Sequence, residues 1–266
     1  MAVLADVRYL NDEWRDRAEI PVVGDRGSRR ANTAKHVVEI HDARDALRRG
    51  DITLDANGFA LLRHASAVRN FRDDEQIRDI YYPEILALAK RTTGARDVVI
   101  TQHVVRTEDT SDFNKAYARF LHCDYTLEDP RGLAERALAR RDLDIGNYSN
   151  CEFAWFNTWQ PFDHTVDRNP LAVVDASTVS TEDVLDYYYT GYGQKGKSAM
   201  PLRDPAHRFY YVPRMKTDEL LFLKQLDTRE GVSKVCPHTS FDDATSPADA
   251  PPRRSIEVRV MAVFDA

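Results

Sequence analysis

The sequence predicts a mainly β fold, a jelly-roll or similar architecture, with helices packed outside it. Two observations support this prediction. Helical patterns are concentrated in the N-terminal third, and many short strands separated by turn residues follow them. With 266 residues the chain is long enough for one such domain. We therefore expect a single domain over residues 1–266, with an N-terminal arm and buttressing helices in 1–95 and a core with lid insertions in 96–266.

The N-terminal part combines short strands with helical patterns. Residues 1–24 predict an arm with short strands, and residues 42–49 predict a short helix that ends at Gly50. Three acids at 73–75, which complement a helix dipole, precede an apolar stripe at helical spacing. Pro83 lies inside this stretch and predicts a kink or a break into two helices.

Strand patterns dominate from residue 97 onward. We expect strands at 98–106, 120–126, 153–159, 209–212, 219–224 and 255–264. An exposed helix is expected over 130–144, and a capped helix is expected to run from Ser180 toward Tyr187. Residues 191–205 contain three glycines and two prolines, which predicts a loop that could close over a substrate as a lid.

Composition and charge argue against several functional classes. Hydrophobic residues at 42% and charged residues at 30% are typical of a soluble globular protein. The formal net charge of −6, with scattered Lys and Arg, argues against a nucleic-acid-binding protein. No apolar run approaches the roughly 18 residues of a membrane span, and charge appears too early for a signal peptide. Three widely spaced cysteines predict reduced thiols in a cytoplasmic protein.

The candidate chemistry centres on His122 and Asp124. Side chains alternate along a strand, so these two are expected to project from the same face. An imidazole and a carboxylate supply two of the three ligands of a 2-His-1-carboxylate triad, which leaves open positions on Fe(II) for a co-substrate and O2. The alternative is a solvated pair at the end of a strand, because a single His-x-Asp pattern is common.

The triad needs a second imidazole, and His238 is the best placed to supply it, because it lies at the end of a later strand. The other histidines lie in an earlier strand, in loops or in the N-terminal layer: His36, His41, His64, His103, His164 and His207. A purely structural role is the alternative for His238.

Arg253 and Ser255 are two residues apart and are expected to point the same way in an extended chain. A guanidinium and a hydroxyl together suit the far carboxylate of a dicarboxylic keto acid such as 2-oxoglutarate. Arg259 is a second candidate for that carboxylate, and solvated ion pairs are the alternative for all the arginines of this strand.

Three further side chains are candidates for the pocket. Asn157 and Trp159 share a strand face and could line the co-substrate site, with membership of the core as the alternative. Arg106 ends a strand shortly before the triad and could bind a substrate carboxylate. Cys123 points away from the two ligands and is expected to be a small buried residue.

His-x-Asp, a distal His and Arg-x-Ser, in this order, resemble the pattern of Fe(II)/2-oxoglutarate-dependent dioxygenases with a double-stranded β-helix, a cupin-like jelly roll. More closely, the chain resembles the AsaB/CmcJ-like hydroxylase/desaturase family of secondary metabolism. The matching stretches run collinearly from about Gly58 to the C-terminus: 79–84, 122–124, 156–161, 170–175, 222–227, 237–241 and 252–259. Arg254 and Gln160 stand where members of that family often carry an acid and a basic residue.

The resemblance implies that His122, Asp124 and His238 bind Fe(II), with 2-oxoglutarate as co-substrate and O2 as oxidant. The implied reaction is hydroxylation or desaturation of a small natural-product intermediate, as in antibiotic biosynthesis, with specificity residing in residues 129–145 and 191–205. Oxidative cyclisation through the same hydrogen abstraction is an alternative. A cupin-like zinc or nickel protein that does not use 2-oxoglutarate is another, and a non-catalytic binding protein is the third.

Overall fold

The computed structural model describes residues 2–107, 119–190 and 196–266. The first half of the chain contains β1 (Ala2–Leu10), β2 (Val22–Val23), α1 (Arg26–Asn32), β3 (Thr33–Asp42), α2 (Arg44–Arg49), α3 (Leu54–Asn57), β4 (Phe59–Arg63), α4 (Asp74–Gln76), a π-helix (Ile77–Tyr81), α5 (Tyr82–Thr93) and β5 (Asp97–Thr107). The second half contains α6 (Pro130–Ala139), β6 (Cys151–Pro161), β7 (Leu171–Val174), β8 (Val184–Tyr189), β9 (Gly196–Pro201), β10 (Phe209–Tyr211), β11 (Glu219–Asp227), β12 (His238–Ser240) and β13 (Arg254–Asp265). The prediction of a mainly β fold with flanking helices is confirmed.

Two five-stranded sheets form the body of the protein. The first sheet has the strand order β1-β3-β10-β7-β12, and the second has the order β4-β11-β6-β13-β5. A buried apolar cluster joins them, with Leu171 and Val173 contributed by the first sheet and Trp159, Leu221 and Leu223 by the second. Burial of these side chains between the sheets drives their packing.

The helical layer covers the outer face of the second sheet. Ile77, Tyr81, Ile85 and Leu88 form the predicted apolar stripe and are buried in one cluster with sheet residues such as Phe222. The helical stretch changes from a π-helix to α5 at Tyr82, and Pro83 lies in the first turn of α5. The helix is continuous here, because Tyr81 and Tyr82 both have right-handed helical dihedral angles, so the break expected at Pro83 takes the form of this change of helix type.

The N-terminal part also contributes strands to both sheets. β1 pairs with β3 at one side of the first sheet, while β4 pairs with β11 in the second sheet. β3 in turn pairs in parallel with β10. Residues 1–95 therefore supply part of the β scaffold in addition to an arm and buttressing helices.

The predictions for residues 180–205 were largely wrong. Val184–Tyr189 is a strand, β8, preceded by a single 3₁₀ turn at Thr181–Asp183, where a capped helix was expected. β8 pairs with β9, so residues 196–201 form a strand within the stretch predicted to be a lid loop. Aromatic residues at 187–189 favour a strand, and this preference outweighed the capping signal. Residues 191–195 of the predicted lid lie outside the described residues.

Two other predictions need smaller corrections. Around His122 the chain makes isolated bridges, His122 with His238 and Cys123 with Ala199, in place of a regular strand. α6 ends at Ala139 and buries Ala134 and Leu138, so the expected helix is only partly exposed. Among the described helices, none is long and apolar enough to cross a membrane.

Candidate metal centre

His122 and His238 lie side by side on antiparallel segments. The backbone N–H of His122 donates to the carbonyl of His238 at 3.1 Å, and the N–H of His238 donates to the carbonyl of His122 at 2.9 Å. The two imidazole centroids are 4.4 Å apart. This pair of backbone hydrogen bonds brings together two residues that are far apart in the sequence.

Asp124 completes the cluster that the sequence predicts. Its Oδ1 lies 3.7 Å from Nε2 of His122, and its Oδ2 lies 4.0 Å from Nε2 of His238. Two ligand atoms that share one divalent ion, each at about 2.1 Å, lie no more than about 4.2 Å apart. Both carboxylate–imidazole separations fall inside that limit, and the ligand atoms of all three side chains lie within 4.8 Å of one another, so a small inward movement lets all three bind one ion.

Hydrogen bonding and burial favour the neutral form of both imidazoles. Nδ1 of His122 donates a hydrogen bond to the carbonyl of Phe120 at 2.9 Å, which leaves the lone pair on Nε2 toward Asp124. Burial lowers the pKa of His122 and lowers that of His238 to about 3. Neutral imidazole is the form that binds a metal ion.

Asp124 is held by two side chains of the second sheet. Nδ2 of Asn157 donates to its Oδ2, and Nη2 of Arg259 forms an ion pair with its Oδ1 at 2.8 Å. Burial alone would raise the pKa of Asp124, but Arg259, the two imidazoles and Asn157 together lower it well below the usual range. The carboxylate is therefore ionised and fixed in orientation, as a metal ligand requires.

Arg259 also bonds Glu257, which lies two residues away on β13. Its Nε donates to Oε1 of Glu257 at 2.8 Å. Burial lowers the pKa of Arg259, but Asp124 and Glu257 outweigh that effect and raise it. One guanidinium thus balances two buried carboxylates beside the candidate metal centre. This use of Arg259 differs from the carboxylate-binding role that the sequence left open for it.

A small cavity of about 30 Å³ adjoins the two imidazoles. Its wall contains all three arginines predicted to bind a carboxylate, and it is lined by Arg106, His122, Trp159, Leu171, His238, Thr239, Ser240, Arg253, Glu257 and Arg259. A volume of this size holds about two water molecules.

Arg253 lies deep in this wall. It is 2% exposed, its Nη1 donates to the carbonyl of Asn169 at 2.6 Å, and its guanidinium carbon lies 5.6 Å from the centroid of Trp159. Ser255 is 1% exposed but is not among the residues that line the cavity. The structure thus places Arg253, Trp159 and Arg106 at the cavity. Asn157 instead donates a hydrogen bond to Asp124.

The two departures from the family pattern lie away from the cavity. Gln160 faces the helical layer, where its Oε1 accepts from Tyr81 at 2.7 Å and its Nε2 donates to the carbonyl of Thr217 at 2.6 Å. Arg254 is partly exposed and pairs with Asp163 at 2.7 Å. Because side chains alternate along β6 and β13, Gln160 points away from Asn157 and Trp159, and Arg254 points away from Ser255 and Glu257.

Sequence reasoning missed Gln225 and Glu257. Gln225 is fully buried and bonds the backbone of Asp124, while Glu257 lines the cavity and bonds Arg259. The sequence could have indicated Glu257 as a residue of the site, because alternation along a strand places it on the same face as Ser255 and Arg259. Gln225 lies within the stretch 222–227 that matches the family, but its orientation toward Asp124 depends on a bulge in β11, which no local pattern indicates.

A larger cavity, of about 420 Å³, lies away from the candidate metal centre. Its lining includes Val179, Glu182, Ser233 and Lys234 but none of the three metal-ligand candidates. Size alone would favour it as a functional site. The convergence of two imidazoles, a carboxylate and three arginines favours the smaller cavity instead.

Comparison with known proteins points to iron and 2-oxoglutarate. The sequence profile of a family described as "Oxidoreductase/YMDC permease-like domain" matches residues 8–264. The chain is 30% identical over 230 residues to the alpha-ketoglutarate-dependent dioxygenase phiK of a fungal species, with 82% of each chain covered. It is also 30% identical over 266 residues to the hydroxylase/desaturase efuI of Hormonema carpetanum, with 90% of this chain and 87% of the relative covered.

A solved structure shows the same fold. The iron and alpha-ketoglutarate-dependent endoperoxidase NvfI superimposes with a TM-score of 0.85 at 26% identity, with 100% of this chain and 99% of that chain covered. The match spans the two sheets and the helical layer together. The expected jelly-roll core is confirmed by this likeness.

Proposed function

This chain belongs to the family of Fe(II)- and 2-oxoglutarate-dependent dioxygenases, and from that premise we propose that His122, Asp124 and His238 are its iron ligands. The observation that carries the proposal is the convergence of their ligand atoms, all within 4.8 Å of one another. Two imidazoles and one carboxylate are the donor set of non-haem Fe(II) oxygenases. When bound, iron with 2-oxoglutarate and O2 supplies an oxidant that removes hydrogen from a substrate C–H bond.

We propose that Arg253 binds the far carboxylate of 2-oxoglutarate, with Ser255 as a second donor. Arg253 is buried at the wall of the cavity beside the imidazoles, and Trp159 lies against its guanidinium. A planar guanidinium can donate two parallel hydrogen bonds to a carboxylate. Arg253 is preferred to Arg259 for this role because Arg259 already pairs with Asp124 and Glu257.

Other side chains around the candidate metal centre have positioning and binding roles. Asn157 and Arg259 hold Asp124 in one orientation, so the ligand needs little rearrangement to bind the metal. Trp159 and Leu171 form an apolar wall that limits access of water to the reacting atoms. Arg106 lies at the same cavity and is proposed to bind an anionic group of the substrate.

The proposed substrate is a small natural-product intermediate, and the proposed reaction is its hydroxylation or desaturation. Relatives named dioxygenase and hydroxylase/desaturase support this class of substrate. Oxidative cyclisation follows from the same hydrogen abstraction and is the alternative outcome. We propose that residues 1–266 act as one domain in the cytoplasm without nucleic acid, in keeping with three free cysteines and a net charge of −6.

The iron ligands can be tested directly by substitution. His122→Ala, Asp124→Ala and His238→Ala should each abolish iron retention after anaerobic loading. His41→Ala, on β3 and away from the cavity, should retain iron like the unchanged chain. Retention of iron by any two of the three ligand variants would disprove the assignment.

Use of 2-oxoglutarate has its own test. Addition of 2-oxoglutarate to the anaerobic Fe(II) protein should produce a weak visible charge-transfer band, which a metal protein that does not bind 2-oxoglutarate lacks. A panel of small metabolites should then contain compounds that stimulate succinate formation. In the product mass, one added oxygen identifies hydroxylation, while loss of two hydrogens identifies desaturation or ring closure.

A further inference from the structure

Gln225 lies at a β-bulge next to the candidate metal centre. β11 pairs with β6 in regular register up to Lys224, opposite Phe156, and the pairing resumes with Leu226 opposite Trp155. Gln225 is the extra residue between these two pairs. A bulge of this kind re-aims a side chain, and bulges are common beside active sites. Gln225 is consequently turned toward the segment that carries Asp124.

The amide of Gln225 is buried and bonded on both sides. Its Oε1 accepts from the backbone N–H of Asp124 at 3.0 Å. Its Nε2 donates to the carbonyl of Cys236 at 3.2 Å and to the carbonyl of Lys224 at 3.0 Å. The side chain is 0% exposed. Because an N–H group only donates and a carbonyl only accepts, these partners fix the orientation of the amide.

The two bonded segments are those that carry the proposed ligands. Asp124 is itself a ligand, and Cys236 lies two residues before His238. Continuing the antiparallel pairing of His122 with His238 by one rung would set Asp124 opposite Cys236. In the structure the amide of Gln225 lies between them, with one hydrogen bond to each. The amide thus takes the place of a direct backbone rung.

We propose that Gln225 is a positioning residue that sets the separation of the two ligand-bearing segments and thereby the affinity for iron. This inference rests on the proposed iron site. The hydrogen bonds of Gln225 go to backbone atoms of Asp124, Lys224 and Cys236. Gln225 acts through the backbone of Asp124 and through the segment that leads to His238. Loss of such a supporting partner typically lowers metal affinity by about 10- to 100-fold.

The chain contains a matched control in Gln160. Its amide is also buried, at 1% exposure, and it bonds Tyr81, His64 and Thr217. It lies on β6, next to β11, but it faces the helical layer. Replacement of either glutamine by methionine removes a buried amide at similar side-chain length. Only the replacement at 225 affects the ligand-bearing segments.

The experiment compares iron affinity and unfolding for these variants of the full chain. Iron dissociation constants are measured anaerobically against a competing chelator, and unfolding is followed in urea without metal. Gln225→Met should weaken iron binding by about 10- to 100-fold, while Gln160→Met should change it less than about twofold although both lose stability. Gln225→Asn should also weaken iron binding, because its side chain is one methylene too short to bond both Asp124 and Cys236. This variant replaces Gln225→Met in the comparison if the Met variant does not fold.

The possible outcomes separate the two claims. Unchanged iron affinity in Gln225→Met, or in Gln225→Asn if only that variant folds, overturns the positioning role. Equal losses in the two methionine variants overturn it as well, because they indicate a general effect of destabilisation. His238→Ala is included as a reference. If it retains iron, the proposed metal site itself fails, whatever the glutamine variants show.

Discussion

Nη2 of Arg259 lies 2.8 Å from Oδ1 of Asp124, so the carboxylate proposed to bind iron forms an ion pair with a guanidinium of β13. The same guanidinium bonds Glu257 through Nε. A buried cation therefore compensates two carboxylates before any metal binds. The arrangement keeps Asp124 ionised in a site from which water is largely excluded, and it favours a single orientation of the ligand.

Arg259→Met should destabilise the metal-free protein by about 3 kcal/mol, because it leaves two buried carboxylates without their cation. Arg254→Met is the control on the same strand, since Arg254 and its partner Asp163 are 36% and 40% exposed. That change should cost less than about 1 kcal/mol. Urea unfolding of the metal-free variants measures both. Similar losses in the two variants would show that Arg259 does not stabilise the buried acids.

Arg253→Met should raise the KM for 2-oxoglutarate by about 10- to 150-fold, because a lost charged bond to a carboxylate costs about 1.5–3 kcal/mol. Iron affinity should stay unchanged, since Arg253 is held by the carbonyl of Asn169 and lies against Trp159. Arg254→Met again serves as the neighbouring control and should leave KM near its original value. An iron-binding defect in Arg253→Met without a change in KM would contradict the assignment.

Glu219→Gln should produce a pH-dependent loss of stability. Hydrogen bonding to Arg44, at 2.7 and 2.9 Å, lowers the pKa of Glu219 from 4.5. A lowered carboxyl pKa contributes stability that is fully present above the unfolded-state value and is lost as pH falls through the folded-state value. The variant should therefore be less stable by about 2 kcal/mol at pH 7, and the difference should shrink as pH falls below about 4.5.

The control for this pH effect is the adjacent residue. Asp218 pairs with Arg63 at the surface, where the two side chains are 49% and 69% exposed. Asp218→Asn should change stability by less than about 1 kcal/mol across the same pH range. Urea unfolding at pH 7, 5 and 4 distinguishes the two variants. A pH-independent loss in Glu219→Gln would show that the ionised pair with Arg44 is not its cause.

Gly58→Ala should destabilise the protein more than Gly50→Ala does. Both glycines have positive φ, +83° and +77°, where a side chain costs about 1–2 kcal/mol. A Cβ on Gly58 would also lie 2.8 Å from Cβ of Cys236, while one on Gly50 meets no atom within 4 Å. The expected losses are about 3 and about 1 kcal/mol. Thermal or urea unfolding measures the loss of stability in each variant. Equal losses would mean that the chain around residue 58 shifts enough to relieve the contact with Cys236.

Several features were predictable because they depend on local spacing. The apolar stripe of α5 and its start near Pro83 follow from helical periodicity and from the missing N–H of proline. The common face of His122 and Asp124 follows from alternation along an extended chain, although the structure shows only isolated bridges there. The common face of Asn157 and Trp159 followed from the same rule.

The hairpin β8–β9 was not predicted, because Ser180 and the acids after it gave a helix-start signal that continued only as a 3₁₀ turn. Tertiary pairing with β2 and β9 decided the conformation of Tyr187–Tyr189 against that signal. Aromatic residues pack well on a pleated surface, so the observed strand agrees with their propensity.

By itself the sequence determined the mainly β class and the helical layer, because residue type and short-range periodicity carry that information, and the ordered resemblance to a known family added the three candidate ligands. Only the tertiary structure decided how the site is supported. The ion pair of Arg259 and Asp124 joins residues that are 135 positions apart in the sequence. The placement of Gln225 depends on a register shift between the paired strands β11 and β6. Both follow from packing between distant segments, which no local pattern in the chain encodes.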